Sequence, residues 1–286
     1  MTLPLKISGI QPISNGVSLG YPFIEAILSV LPIVDEFLIN DGGSSDQTSF
    51  YLKKLQMAFP NKIRLFNKPF YPSNYWETID DCVEFLISQI KGNWLFEVQG
   101  DEVWHEKELL KLKKTIQKAN QGNYNSIRSL RYFGAGFDLP DNAYKYMNIR
   151  IVRKIKNLRS FWGGDDFQVG DNRNPAPGFT SSNVPPELIV DNTSCYNIGY
   201  SAFPGNALER TKTTFEFFAK KNLEREKIWK RVLEKRNTNQ LKTIQSFEYI
   251  KEFPVLVQGL IGLEKYQVRD ELFDKAFLKQ LTGLNY

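Results

Sequence analysis

The sequence predicts an α/β fold built on a mostly parallel sheet flanked by helices, and three observations carry that prediction. Short runs of β-branched and aromatic residues alternate with segments whose apolar residues recur at helical spacing. That rhythm belongs to a parallel sheet with right-handed crossovers. Two of the runs, residues 37–39 and 94–98, stop abruptly at an acidic residue, Asp41 or Asp101, and pass into loops. After Gly122 strand-like segments follow one another with no helix between, so antiparallel members are expected there.

Residues 6–13 read as the first strand, followed by the turn Ser14-Asn15-Gly16. Residues 21–31 read as a helix opened by Pro22, whose fixed φ suits a first helical turn. Its Phe23, Ile24, Ile27, Leu28 and Leu31 share one face. Strand two covers 36–40, and the helix after D-G-G-S-S-D carries Phe50, Leu52, Leu55, Met57 and Phe59. Strand three covers 62–66, a helix runs from about 75 to 90, and strand four covers 93–98. Residues 106–120 read as an amphipathic helix burying Leu109, Leu110, Leu112 and Ile116. Residues 126–133, 148–155 and 188–198 read as strands. Residues 159–186, rich in Gly, Asp, Asn and Pro, read as one long loop, a length that usually carries function or is disordered. Charged helices are expected at 211–221, 223–236 and 270–281. The division is an α/β body over residues 1–205 and a helical extension over 206–286 packed on it.

The chain of 286 residues is 42% hydrophobic and 24% charged, ordinary for a soluble globular protein. The 14% aromatic fraction hints at clefts that stack flat rings or sugars. A net charge of +5, with basic and acidic residues interleaved, does not mark a nucleic-acid binder. Cys82 and Cys195 read as core thiols of a reducing compartment. The start M-T-L-P-L-K lacks a signal pattern, and the apolar run 255–263 is about half of what a bilayer crossing needs. A soluble, cytoplasmic protein is expected. No G-x-x-x-x-G-K-[S/T] or G-x-G-x-x-G follows the first strand, which speaks against kinase and dehydrogenase readings. With His105 the single histidine, there is no zinc cluster and no evident Ser-His-Asp set.

Three ordered motifs make the chemistry specific. Residues 15–22 read N-G-V-S-L-G-Y-P, residues 34–48 read V-D-E-F-L-I-N-D-G-G-S-S-D-Q-T, and residues 92–106 read G-N-W-L-F-E-V-Q-G-D-E-V-W-H-E. On these the chain resembles family 2 glycosyltransferases of the GT-A fold, and within them a bacterial and archaeal subgroup sharing all three motifs. I-R-I-V-R at 149–153 and C-Y-N-I-G-Y-S-A-F-P at 195–204 fall where the subgroup carries R-x-x-R and Y-H-Y-G-…-P. The resemblance spans residues 7–204 and implies a GT-A catalytic domain over 1–205. It also implies transfer of a sugar from a nucleotide-diphosphate donor (UDP-, GDP- or dTDP-sugar) to a hydroxyl acceptor on a glycan or lipid, with the inversion that the family resemblance implies.

A diphosphate leaving group needs its developing charge stabilised, and Mn²⁺ or Mg²⁺ does so with only one or two protein carboxylates. The resemblance assigns Asp101 as the metal ligand, the last acid of a D-x-D motif whose first acid is here Gln99. It places Pro12, Asn15, Asp41, Gly43, Lys68, Gln99, Gly100 and Glu102 around the nucleotide sugar. Asp41 at a strand end can accept the imide N–H of a base; the alternative is an Asx turn into the Gly-Gly loop. Asp46 reads as a helix cap. Pro12 and Asn15 read equally as a tight turn, Lys68 as a solvated lysine, and Glu102 as either site or helix start.

The base that takes the acceptor's proton is expected in W-G-G-D-D-F, residues 162–167. Adjacent carboxylates raise one pKa, which suits a base, so Asp166 or Asp165 is preferred, with Asp171 behind. Trp162 and Phe161 either stack on a sugar or fill the core. Asn197 stands where relatives carry His, and so does Phe253. His105 reads as a solvated residue at a helix start. The basic face from Lys220 to Arg236 reads as solvated surface or as a peripheral membrane contact. The competing function is a GT-A-like protein without turnover that binds carbohydrate or serves as a scaffold; a nucleotidyltransferase lacks its Gly-rich, Arg-bearing loop here.

Overall fold

A computed structural model describes residues 4–70, 75–122, 124–134, 144–161, 166–170, 184, 186–198, 203, 205–206, 245–246 and 252–286. The first half lays down β1 (Ile7–Ile13), β2 (Glu36–Asp41), β3 (Ile63–Phe66) and β4 (Trp94–Glu97). Between them run α1 (Phe23–Val30), α2 (Thr48–Ala58) and α3 (Tyr75–Gln89). In space the order is β3-β2-β1-β4, every pair parallel. All four carboxyl ends therefore meet along one edge.

Strand alternation splits the core into two layers. Ile7, Ile13, Phe37, Ile39, Trp94 and Phe96 face α1, α2 and α4 (Leu109–Gln121), whose Ile24, Ile27, Leu52, Leu55, Leu112 and Ile116 meet them. Ile10, Leu38 and Leu95, one residue out of phase, face Val83, Leu86 and Ile87 of α3. Successive side chains of a strand point to opposite faces, so these strands place apolar residues on both faces rather than alternating apolar with polar. The fold is mixed α/β with a mainly parallel sheet between helical layers.

The second half adds β5 (Glu102–Trp104), β6 (Ser126–Gly134), β7 (Tyr144–Arg153), β10 (Glu187–Ile198) and β11 (Gln245–Ser246) to the same sheet. β7 runs antiparallel to both β4 and β6, which it separates. β10 lies parallel to β6 and antiparallel to β5. The antiparallel members expected after Gly122 are thus β7, against both β4 and β6, and β10, against β5. Toward the C-terminus come α5 (Val255–Gln258), a 3-10 turn (Asp270–Phe273) and α6 (Lys275–Thr282). Leu256, Val257, Leu260, Tyr266, Leu272 and Leu278 join the core on the α1 side. Asn206 anchors this segment: Nδ2 donates to the carbonyls of Val17 (3.3 Å) and Ser18 (2.9 Å), and Oδ1 accepts from Tyr266 N at 2.8 Å.

Several expectations need correction. The long loop of 159–186 contains a hairpin, β8 (Leu158–Phe161) with β9 (Asp166–Val169), which buries Leu158 and Phe167 against the α3 side. The helix expected from 106 begins as a 3-10 turn, Glu106–Glu108, preceded by β5. Leu110 is 61% exposed, because only Leu109, Leu112 and Ile116 keep the three- and four-residue spacing of one face. The terminal helix is broken at Asp274, whose Oδ1 accepts from Ala276 N (2.7 Å) and starts a new helix there. The helices expected at 211–221 and 223–236, with their basic face, lie outside the described residues. Cys82 and Cys195 are both buried and form no disulfide, and burial pushes the Cys82 thiol up to about 11. Among the described residues no helix is long and apolar enough to cross a membrane.

Candidate active site

The carboxyl ends of β1 and β2 are tied into one wall. Register pairs Pro12 with Asn40 and Ile13 with Asp41, and Gly42 N donates to Ile13 O at 2.7 Å. Asn15, at φ 52°, adopts the left-handed turn that Asn tolerates. Its N donates to Ser44 Oγ (2.9 Å), and its Oδ1 accepts from Ser45 N (2.8 Å). Further along, Ser18 N donates to Asp46 Oδ2 (2.7 Å) and Val17 N to Thr48 Oγ1 (3.1 Å). Asp46 also accepts from Thr48 N at the first turn of α2. Burial works to raise the Asp46 pKa, and the hydrogen bonds from Thr48 and Ser18 more than reverse it, leaving it below the ordinary value.

Asp41 is buried to 5% exposure and committed to its own loop. Its Oδ1 accepts from Gly43 N (3.2 Å), Ser44 N (2.9 Å) and Ser44 Oγ (2.7 Å). This is the Asx turn, with Gly43 at φ 88° allowing the chain to bend. Oδ2 accepts from Ser49 Oγ alone among the described residues. A carboxylate has about four lone-pair sites, so Oδ2 retains the capacity for one further donor.

The other wall follows β4. Gln99 to Glu102 form a tight turn closed by Glu102 N donating to Gln99 O at 3.0 Å. Asp101 stands at its third position, half-buried, and its carbonyl accepts from Ile198 N of β10 at 2.7 Å. Gly100 packs so close that a Cβ there would lie 2.9 Å from Ile13 Cδ1, which brings this turn against the β1 wall. Neighbouring strands lie about 4.8 Å apart, so β2 and β4 flank β1 at roughly 10 Å, a span suited to an extended ligand. Asn197 is in register with Glu102, so its backbone lies beside the Asp101 turn.

Glu102, expected among the nucleotide-sugar ligands, points elsewhere. It is fully buried, and its carboxylate accepts from Arg150 Nε (2.9 Å to Oε2) and Nη2 (2.9 Å to Oε1). Arg150 Nη1 also reaches Glu97 Oε2 at 3.5 Å. Buried charges are costly without partners, so these three carboxylate and guanidinium groups hold one another beneath the turn. Lys68 likewise turns away from the strand ends. Its backbone exchanges hydrogen bonds with the Asn40 side chain, while Nζ donates to Asp81 O of α3 at 3.2 Å.

Asp166 begins β9 opposite Phe161; this is its backbone placement, and Asp165, Asp171 and Trp162 lie outside the described residues. His105, expected in solvent, is only 1% exposed: the Tyr196 ring lies against it, and Phe253 packs in turn on Tyr196. Its Nδ1 accepts from Lys107 N (3.3 Å), and Nε2 meets no hydrogen-bond partner among the described residues. Burial, reinforced by the charge of Lys107, pushes its pKa down to about 4, so the ring is neutral. The I-R-I-V-R strand stands out in the sequence, yet no role for Arg150 follows from its motif; a guanidinium inside an apolar strand was the available signal.

Among the described residues no group of three or more His, Cys, Asp and Glu side chains is placed to hold a metal. One half-buried carboxylate fits the donor demand of Mg²⁺ or Mn²⁺ when phosphate oxygens and water complete the shell. Asp101 is the residue that would hold it.

No protein-family model and no curated protein matches the chain. Solved structures show a slight likeness, and three serve as examples. TarS of S. aureus in complex with UDP is 16% identical at a TM-score of 0.36, over 48% of this chain and 38% of that one. A further structure of TarS of S. aureus is 13% identical at a TM-score of 0.44, over 82% of this chain and 50% of that one. Glucosyl-3-phosphoglycerate synthase from Mycobacterium tuberculosis, in complex with Mn²⁺, UDP and glucosyl-3-phosphoglycerate, is 18% identical at 0.29, over 44% of each chain. The chain thus spans half or less of the length of these proteins, and likeness of this degree assigns no role to any of its residues.

Proposed function

We propose that the chain is a nucleotide-sugar-dependent glycosyltransferase. The observation that carries the reading is the pairing of Asp41 and Asp101 at the carboxyl ends of parallel strands on either side of β1. Ligands of open α/β sheets bind in that crevice. In this reading Pro12, Asn15 and Gly43 shape the nucleoside side, and the remaining capacity of Asp41 Oδ2 accepts a base N–H. Gln99, Gly100 and Asp101 face the diphosphate. A divalent ion, when bound, would stabilise negative charge on the leaving diphosphate.

The acceptor hydroxyl oxygen forms a bond to the anomeric carbon as the bond to the diphosphate oxygen breaks, and the hydroxyl proton passes to a carboxylate. Asp166 or Asp165 is the proposed base, which gives inversion at the anomeric carbon. The acceptor is a glycan or lipid-linked hydroxyl, and the basic face between Lys220 and Arg236 would bring the protein to an anionic membrane on the cytoplasmic side. Asp101→Ala is expected to abolish Mn²⁺-dependent UDP binding in calorimetry. Wild-type protein that binds neither UDP nor another nucleoside diphosphate with any metal would defeat the proposal.

A second reading, carbohydrate binding without turnover, is favoured by the commitment of Asp41 to its own loop and by Gln99 at the first acid of the motif. Sugar binding with no nucleotide binding would select it.

A further inference from the structure

We infer that Arg150 is a positioning residue, which acts through Glu102 to fix the turn that presents Asp101. The inference rests on the reading of Asp101 as the residue that meets the metal and diphosphate. It starts from a break in strand pairing. Along β6 and β7, Ile127 pairs with Ile151 and Arg128 pairs with Ile149, so Arg150 is an extra residue on β7. Such a bulge bends the strand and re-aims a side chain. β7 also runs antiparallel to β4, pairing Phe96 with Ile151, which sets Arg150 across from Glu97.

The redirected side chain is fully buried and lies along the carboxylate of Glu102. Nε donates to Oε1 (3.2 Å) and Oε2 (2.9 Å), and Nη2 donates to Oε1 (2.9 Å). Glu102 then acts on the turn twice: its N donates to Gln99 O at 3.0 Å, and its Oε2 accepts from Gln99 N at 3.4 Å. Gly100 and Asp101 are the two residues held between these ends. The planar fork of Arg fixes a carboxylate in orientation as well as in place, which an ammonium does not do. A buried ion cluster is rarely better for stability than apolar side chains of similar volume. Its position directly under the Asp101 turn therefore marks it as a device for orientation. Groups that orient a metal ligand from behind typically change metal affinity 10- to 100-fold when altered.

The test is calorimetry of UDP binding with and without Mn²⁺ on the full chain, with circular dichroism and thermal unfolding to verify folding. The variants are Arg150→Lys, Glu102→Gln and the neutral pair Arg150→Met with Glu102→Gln, which avoids stranding a charge. Asp101→Ala is the control for the underlying reading. In the folded variants the gain in UDP affinity conferred by Mn²⁺ is expected to fall about 10- to 100-fold, least for Arg150→Lys, with metal-free UDP affinity unchanged. General loosening of the fold would lower both affinities together, and that outcome overturns the inference. So does wild-type Mn²⁺ dependence in every folded variant while Asp101→Ala loses it; the reading of Asp101 then survives alone. Wild-type protein showing no Mn²⁺ dependence, or Asp101→Ala retaining it, overturns that reading and the inference with it.

Discussion

Glu25 makes the stability of this protein fall as pH rises toward neutrality. It lies in α1, fully buried, where its Oε2 accepts from Tyr266 Oη at 2.8 Å and its Oε1 meets no partner among the described residues. Burial raises its pKa from the ordinary 4.5 to about 7, against the smaller opposing effects of hydrogen bonds and Arg269. The folded state thus holds this proton more tightly than the unfolded chain does. Its contribution is fully present below pH 4.5 and is lost as pH rises through about 7. Each pKa unit is worth about 1.4 kcal/mol, so the whole rise corresponds to about 3 kcal/mol. Urea unfolding at intervals from pH 4.5 to 8.5, on wild type and Glu25→Gln, reads the effect. Wild type is expected to lose about 3 kcal/mol more than the variant over that range, since Gln accepts the Tyr266 hydrogen bond but does not titrate. Parallel curves for the two proteins would refute the assignment.

Two further predictions concern buried polar groups. His105 is expected to titrate near pH 4 in an NMR titration followed at its ring protons, so its neutral form should persist through pH 6. A midpoint at the ordinary 6.5 would show the ring to be solvated. The unfolded chain takes up this proton first, so His105 contributes stability above pH 6.5 that is lost as pH falls through about 4. Asn206→Ala leaves Tyr266 N and the carbonyls of Val17 and Ser18 without their partner, at an expected cost of about 1–3 kcal/mol in chemical unfolding. A change near zero would mean that water replaces the amide.

The first half of the fold was legible because its strands are buried on both faces. Residues 37–39 are an unbroken apolar run and 94–98 are apolar except for Glu97 for that reason, and the helices between them stop shortly before Pro60 and Gly92. The shorter, more polar strands β5, β8 and β9 carry no such signature: Glu102-Val103-Trp104 looks like the approach to a helix until β10 pairs with it. The strand ends that carry Asp41 and Asp101 were legible because an apolar run stops there; the hydrogen bonding around them was not. The partners of Glu102 and Lys68, Arg150 and Asp81 on α3, were not legible because they come from elsewhere in the chain. His105 was taken as solvated because Tyr196, which lies against it, is distant in sequence. Spacing cannot show which face a later segment will shelter.

The stitching of the loops after β1 and β2 has a thermodynamic corollary. Asn15, Ser44, Ser45, Asp46 and Thr48 fasten two separate connections into one rigid lip before anything binds. A molecule settling there does not have to freeze floppy backbone, so more of its contact energy survives as affinity. It also follows that the lip has little freedom to reshape itself around rings of different outline. Under the proposed function, discrimination among nucleobases on that side should come from rejection by a stiff contour rather than from adaptive closure.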